Sequence, residues 1–217
     1  MVKIISFDLD GTLITKKYSD LVWLEGLPGL YSKEKNIPLD RAKQILFKKY
    51  DEVGDQRVEW YDISYWFKRF ELKSSWKKLL EKYSYAVEPY SESGDVLDEL
   101  SRDSDLILSS NAKKEFIDIE LRETGFKKYF KKIFSSTSDF DCVKKTSSFY
   151  TKICDYIDVQ PDEVVHVGDH KKFDYNMPKK VGIKSFFLDR KNKNDEAIDS
   201  FFVVKNLKEF LDRIKQK

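Results

Sequence analysis

The chain has 217 residues, 41% hydrophobic and 36% charged, with a net charge of +2. That is a soluble, globular composition, long enough to bury roughly 70% of the unfolded surface, and it excludes an intrinsically disordered chain. With 40 Lys+Arg against 38 Asp+Glu, the basic clusters read as solvated helix faces rather than a nucleic-acid patch, and no run reaches the roughly 18 uncharged apolar residues of a membrane span.

The first predicted element is a buried strand, in which Ile4, Ile5 and Phe7 run straight into Asp8. This apolar run is too short for a signal peptide and ends in an acid, so a cytoplasmic location is expected. Residues 14–87 lack strands. They carry helical periodicity over 39–53 (Ala42, Ile45, Leu46, Tyr50), 58–70 and 74–85 (Trp76, Leu79, Leu80, Tyr83). The aromatics Trp60, Tyr61, Tyr65, Trp66, Phe67 and Phe70 are expected to pack this block's own core.

After residue 88 the pattern changes to alternating helices and strands. Helices are expected at 94–101, 113–124, 147–157 and 207–214. Continuous apolar runs at 105–109, 132–135, 164–167 and 185–188 read as parallel strands covered on both faces, with a sixth at 201–204. The implied fold class is α/β: a Rossmann-like parallel sheet flanked by helices. Residues 1–14 and 88–217 form this core, and residues 15–87 form an inserted helical domain. Cys142 and Cys154 have no metal-type spacing and read as reduced thiols.

In an open parallel sheet, ligands bind beyond the carboxyl ends of the strands. Four clusters fall there. In Phe7-Asp8-Leu9-Asp10-Gly11-Thr12, two carboxylates leave a strand and enter a turn, and Gly11 lets backbone N–H groups approach an anion. Ser109-Ser110-Asn111 offers a hydroxyl before a helix. Lys144-Lys145 can supply a cation to a carboxylate and a phosphate. Gly168-Asp169, followed by Asp174, offers oxygen ligands to a hard cation.

Taken in this order, the clusters resemble the haloacid dehalogenase (HAD) superfamily: a DxDGT motif, a strand-end Ser or Thr, a Lys, and GDxxxxD. The inserted helices resemble the α-helical cap of the branch that carries it after the first motif. The resemblance implies a magnesium-dependent phosphatase acting on a small phosphorylated metabolite. A sugar-phosphate mutase is the alternative, and a haloacid dehalogenase, which needs neither magnesium nor a second acid, fits less well. By position, Asp8 would be the nucleophile and Asp10 the general acid/base. Asp8, the backbone carbonyl of Asp10 and Asp169 would hold Mg2+. Gly11, Thr12, Ser110, Asn111 and Lys144 would hold the phosphoryl group, and Asp174 would orient the fourth loop. The implied partner is a small phosphorylated substrate, with no nucleic acid and no membrane, and the chain would be a monomer or homodimer.

Three positions depart from the family pattern. Lys144 is followed by Lys145 rather than Pro, and Tyr150, six residues after Lys144, favours Lys144 as the site lysine. Met177-Pro178 replace the usual Gly-Ala after Asp174. His170 follows Asp169 directly and reads as a loop residue. Lys16 and Lys17, at the entry to the cap, are candidates to meet a second anionic group on the substrate.

Overall fold

A computed structural model describes residues 3–192 and 198–216. Among them, six strands form one parallel sheet: β1 (Ile4–Phe7), β2 (Asp105–Ser110), β3 (Phe130–Ser135), β4 (Val164–Gly168), β5 (Lys184–Leu188) and β6 (Val203–Val204), in the order β3-β2-β1-β4-β5-β6. The order reverses at β1, which lies between β2 and β4. This is the topological switch point where an open α/β sheet forms its crevice.

Alternation along the strands sorts the core. Ile5, Phe7, Leu106, Leu108, Val165 and Val167 point to one face. There they meet α6 (Ser93–Leu100), α7 (Lys114–Thr124) and α11 (Leu207–Lys215). Ile4, Ile107 and Val164 point to the other face, onto Phe149, Tyr150 and Ile153 of α9 (Ser147–Ile157). The short α8 (Ser136–Asp139) follows β3, and α10 (Met177–Lys180) precedes β5.

Between β1 and α6 the described residues form α1 (Lys17–Leu21), α2 (Leu27–Lys35), α3 (Leu39–Val53), α4 (Ile63–Arg69) and α5 (Trp76–Tyr83). They bury Leu27, Leu46, Trp66, Phe67, Phe70 and Leu80 in a cluster of their own, which also takes in Phe116 and Ile119 of α7. The expected helix over 58–70 is broken. A 3-10 turn at Val58–Tyr61 stops at Asp62, whose carboxylate accepts N–H bonds from Ser64 and Tyr65 at 2.8 and 3.1 Å and starts α4 afresh. The expected strand over 201–204 narrows to two residues, because Asp199 caps a 3-10 turn at Ser200–Phe202. No described helix is long and apolar enough to cross a membrane.

Candidate active site

Asp8 leaves β1 at the switch point and is 6% exposed. Thr12 Oγ1 donates to its Oδ2 at 2.8 Å, and Lys145 Nζ lies 2.5 Å from its Oδ1. Together these two donors set the plane of the carboxylate. Gly11 turns the loop with φ +86°. A Cβ there would meet Asp169 Oδ2 at 2.2 Å and Lys16 Cε at 2.7 Å, so only glycine lets β1's loop lie against β4's.

The lysine at the site is a correction to the sequence reading. Lys144 is expected to reach Asp8, but it points away and pairs with Asp55 of the helical insert. Lys145 is fully buried and bridges Asp8 to Asp174 Oδ1 at 2.5 Å, with a further bond to the Ser109 carbonyl at 3.0 Å. Asn111 decides between the two lysines: its Oδ1 accepts the Lys145 backbone N–H at 2.8 Å. That bond holds the Lys145 backbone against β2, with its side chain running in to Asp8 while that of Lys144 runs to Asp55. Tyr150, the aromatic that favoured Lys144, bonds instead to the Phe173 carbonyl at 2.8 Å and to His166 at 3.1 Å.

Ser110 is buried at the end of β2, and its hydroxyl accepts the Ala112 N–H at 3.0 Å. Asp174 has both oxygens engaged. Lys145 and His166 Nε2 (3.1 Å) meet Oδ1, and the His170 backbone N–H meets Oδ2 at 3.0 Å. A Cβ on Gly168 would fall 2.4 Å from the Asp174 carboxyl carbon, so glycine is needed for this close approach. His170 is half-buried, with its ring centroid 4.5 Å from that of Phe173.

Beneath these groups runs a buried polar chain. Ser109 and Ser6 share a hydroxyl bond at 2.9 Å, Ser6 Oγ meets His166 Nδ1 at 2.8 Å, and His166 leads to Asp174. The bonding pattern is consistent with an imidazole protonated on Nε2 that donates to Asp174. Burial lowers the His166 pKa and keeps the ring neutral, outweighing the pull of Asp174. Ser6 and His166 are partners in register, and Ser109 lies on the same sheet face two positions beyond Ile107, the partner of Ser6 on β2. Polar side chains inside otherwise apolar strands are the sequence signal that could have exposed the chain.

The electrostatics are those of crowded carboxylates. Burial pushes Asp8 up to about 7 against the pull of Lys145, while Asp174 and Asp169 add repulsion. Burial likewise pushes Asp10 up to about 6, and its Oδ1 is buried. Asp174 goes the other way: although buried, it is held well below the usual carboxylate range by Lys145 and His166. Glu120 of α7, which sequence reading missed, is fully buried, and its carboxyl finds a hydrogen bond only by sharing a proton with Asp10. Burial raises its pKa, reinforced by Asp10 and Asp8.

Carboxylate oxygens of Asp8, Asp169 and Asp174 all lie within 4.8 Å of one another. Hard all-oxygen donors of this kind fit a divalent cation. Within that group both oxygens of Asp174 and both of Asp8 already have partners, whereas Asp169 pairs through Oδ2 with the half-exposed Lys16. Beside them opens a cleft of about 700 Å³, lined among others by Lys16, Tyr90, Asp169, His170 and Arg190.

Residues 2–182 match the family of haloacid dehalogenase-like hydrolases. The chain belongs to that family. No curated protein matches it in sequence. Among solved structures, this haloacid dehalogenase-like hydrolase is similar to a HAD phosphatase from Thermococcus onnurineus, with 22% identity, TM-score 0.86, and coverage of 100% of this chain and 99% of that one. It is also similar to a 2-haloacid dehalogenase from Pseudomonas syringae pv. Tomato DC3000 (19%, 0.71, 99% and 98%) and to an L-2-haloacid dehalogenase from Xanthobacter autotrophicus (18%, 0.68, 100% and 99%). At these identities the likeness establishes the shared fold alone.

Proposed function

We infer that this HAD-like hydrolase is a magnesium-dependent phosphatase of a small phosphorylated metabolite, with residues 15–87 serving as its cap. The observation that carries the reading is the convergence of Asp8 and Asp169 oxygens beside a second loop acid, Asp10. A dehalogenase needs neither a cation nor that acid.

In this reading Asp8 attacks phosphorus, forming an O–P bond as the bond to the leaving oxygen breaks. Asp10, kept protonated toward neutral pH by burial, gives its proton to the leaving oxygen. It then takes one from the water that cleaves the aspartyl-phosphate and releases inorganic phosphate. Asp8, the Asp10 backbone carbonyl and Asp169 would hold the divalent cation, which supplies charge neutralisation between carboxylate and phosphate. Lys145 does the same from the buried side. The Ser110 hydroxyl, its oxygen engaged by Ala112 N–H, keeps its hydrogen to donate to a phosphoryl oxygen. Asn111 acts by holding Lys145, and Asp174 by anchoring both Lys145 and the loop after β4.

The test is hydrolysis of p-nitrophenyl phosphate with and without Mg2+, followed by a panel of phosphorylated metabolites. Release that needs Mg2+ and is lost in Asp8→Asn supports the reading. Dehalogenation of a haloacid in excess chelator, with no phosphate release, overturns it.

A further inference from the structure

Lys16 has a place in the site that the proposed reaction does not use. Its Nζ lies 2.7 Å from Asp169 Oδ2, and its stem crosses the Gly11 backbone where a Cβ would collide with Lys16 and Asp169 together. The residue immediately precedes α1, the first helix of the insert, so it reaches the carboxylates from the insert side.

The site contains two lysines with different surroundings. Lys145 is sealed between Asp8 and Asp174 with no exposed side-chain surface. Lys16 keeps 51% of its side-chain surface exposed, and Asp169 keeps 24%. A buried, bidentate ammonium cannot leave without stranding two carboxylates. A half-exposed lysine on a single carboxylate oxygen is held weakly and can swing to water. Of the carboxylates gathered here, Asp174 is fully engaged and Asp8 is fixed by Thr12 and Lys145. Asp169 is therefore the ligand whose availability can change, and Lys16 controls it.

We propose that Lys16 is a tethered cation that competes with the divalent ion for Asp169 and that ion binding displaces its ammonium into the cleft. The inference rests on the reading that Asp169 is a metal ligand. The ammonium already sits on the Asp169 carboxylate, and a divalent ion drawn to that same group repels it as a like charge at close range, so one must give way. A multiply ligated divalent ion outcompetes one half-exposed ammonium. Lys16 thus sets the ion concentration at which the site fills. It also leaves a positive charge lining the cleft through which an anionic substrate enters.

The test measures ion binding directly, without turnover. Mg2+ is titrated calorimetrically into wild type, Lys16→Met and Lys16→Arg. Lys16→Met is expected to bind Mg2+ about two- to fivefold more tightly, the range a half-exposed ion pair supplies, and Lys16→Arg to stay near wild type. In parallel, lysine acetylation followed by mass spectrometry should show Lys16 reacting faster in saturating Mg2+. Lys17, paired with Glu88 outside the site, should be unchanged. Unaltered or weaker Mg2+ binding by Lys16→Met, or Lys16 labelling that Mg2+ does not accelerate, overturns the competition while leaving the phosphatase reading intact. Absence of Mg2+ binding in every variant overturns both.

Discussion

Lys145 Nζ lies 2.5 Å from Asp8 Oδ1, in a pocket with no solvent exposure on the lysine. The neighbouring Lys144 faces the other way, toward Asp55. The two lysines therefore make a sharp mutational contrast. Lys145→Met should lower kcat/KM on p-nitrophenyl phosphate on the order of 10²–10³-fold, as removal of a preorganised charge-stabilising donor does. It should also cost about 3–5 kcal/mol of stability, since two carboxylates lose a buried partner. Lys144→Met breaks a partly exposed pair worth about 0–1 kcal/mol and should leave turnover nearly unchanged. Steady-state kinetics beside urea melts measure both, and the reverse ranking would restore Lys144 to the site.

The same pair marks how far the sequence can be read. Asp8, Asp10 and Asp169 are legible because each follows an apolar run, and parallel strands deliver their ends to one edge. The lysine is not, because it arrives on the connection between α8 and α9, where no periodicity fixes direction. A single bond from Lys145 N–H to Asn111 settles it. Residues 58–70 are periodic enough to read as one helix, yet Asp62 competes for the backbone as a cap and splits it. Ser6, Ser109 and His166 are visible as polar residues in strands, but their union depends on strand order, which the sequence leaves open. Glu120 follows Phe116 and Ile117 by four and three residues, on the buried face of α7, but a carboxyl reads as a solvent-facing residue by its type.

Gly11→Ala probes the contact between the first and fourth loops. Alanine at φ +86° enters the left-handed region, at a cost of about 1–2 kcal/mol. Its methyl would also displace Asp169, whose Oδ2 lies 2.2 Å from the Cβ position. The expected outcome is a lower urea midpoint together with loss of the Mg2+-induced rise in Tm. A variant that folds less stably but keeps that rise would show that the loop can move without disturbing Asp169.

His166 should make stability depend on pH. Its folded-state pKa lies below the ordinary 6.5 because the ring is buried. Below about pH 6.5 the unfolded chain takes up a proton that the folded chain refuses. Its contribution to stability is therefore full above that pH and is lost as pH falls toward the folded value. His166→Gln removes this proton difference and can still bond to Ser6 or Asp174. The stability difference between the two proteins should shift in favour of the variant between pH 7 and pH 5.5, read by urea denaturation at each pH. A constant difference across that range would mean that the folded ring also takes up a proton.

Glu120 is the buried group whose removal should help the fold. It is completely inaccessible, and its carboxyl is hydrogen-bonded only through a proton shared with Asp10. Burial, then Asp10 and Asp8, drive its pKa well above 4.5, so the folded state binds a proton that the unfolded state releases. With the folded pKa raised, this group's penalty is absent below the unfolded value, and it grows as pH rises toward the folded one. Glu120→Met keeps the chain length and removes the buried polar group. It should stabilise the protein by about 1–3 kcal/mol at neutral pH, with a smaller gain near pH 4.5. Thermal melts across that range measure the stability change, and p-nitrophenyl phosphate turnover at pH 7 measures the consequence for Asp10. If turnover holds while Tm rises, the carboxyl is a structural liability alone. If turnover falls in a protein that melts higher, Glu120 holds the acid/base in place, and the instability is a cost of that role.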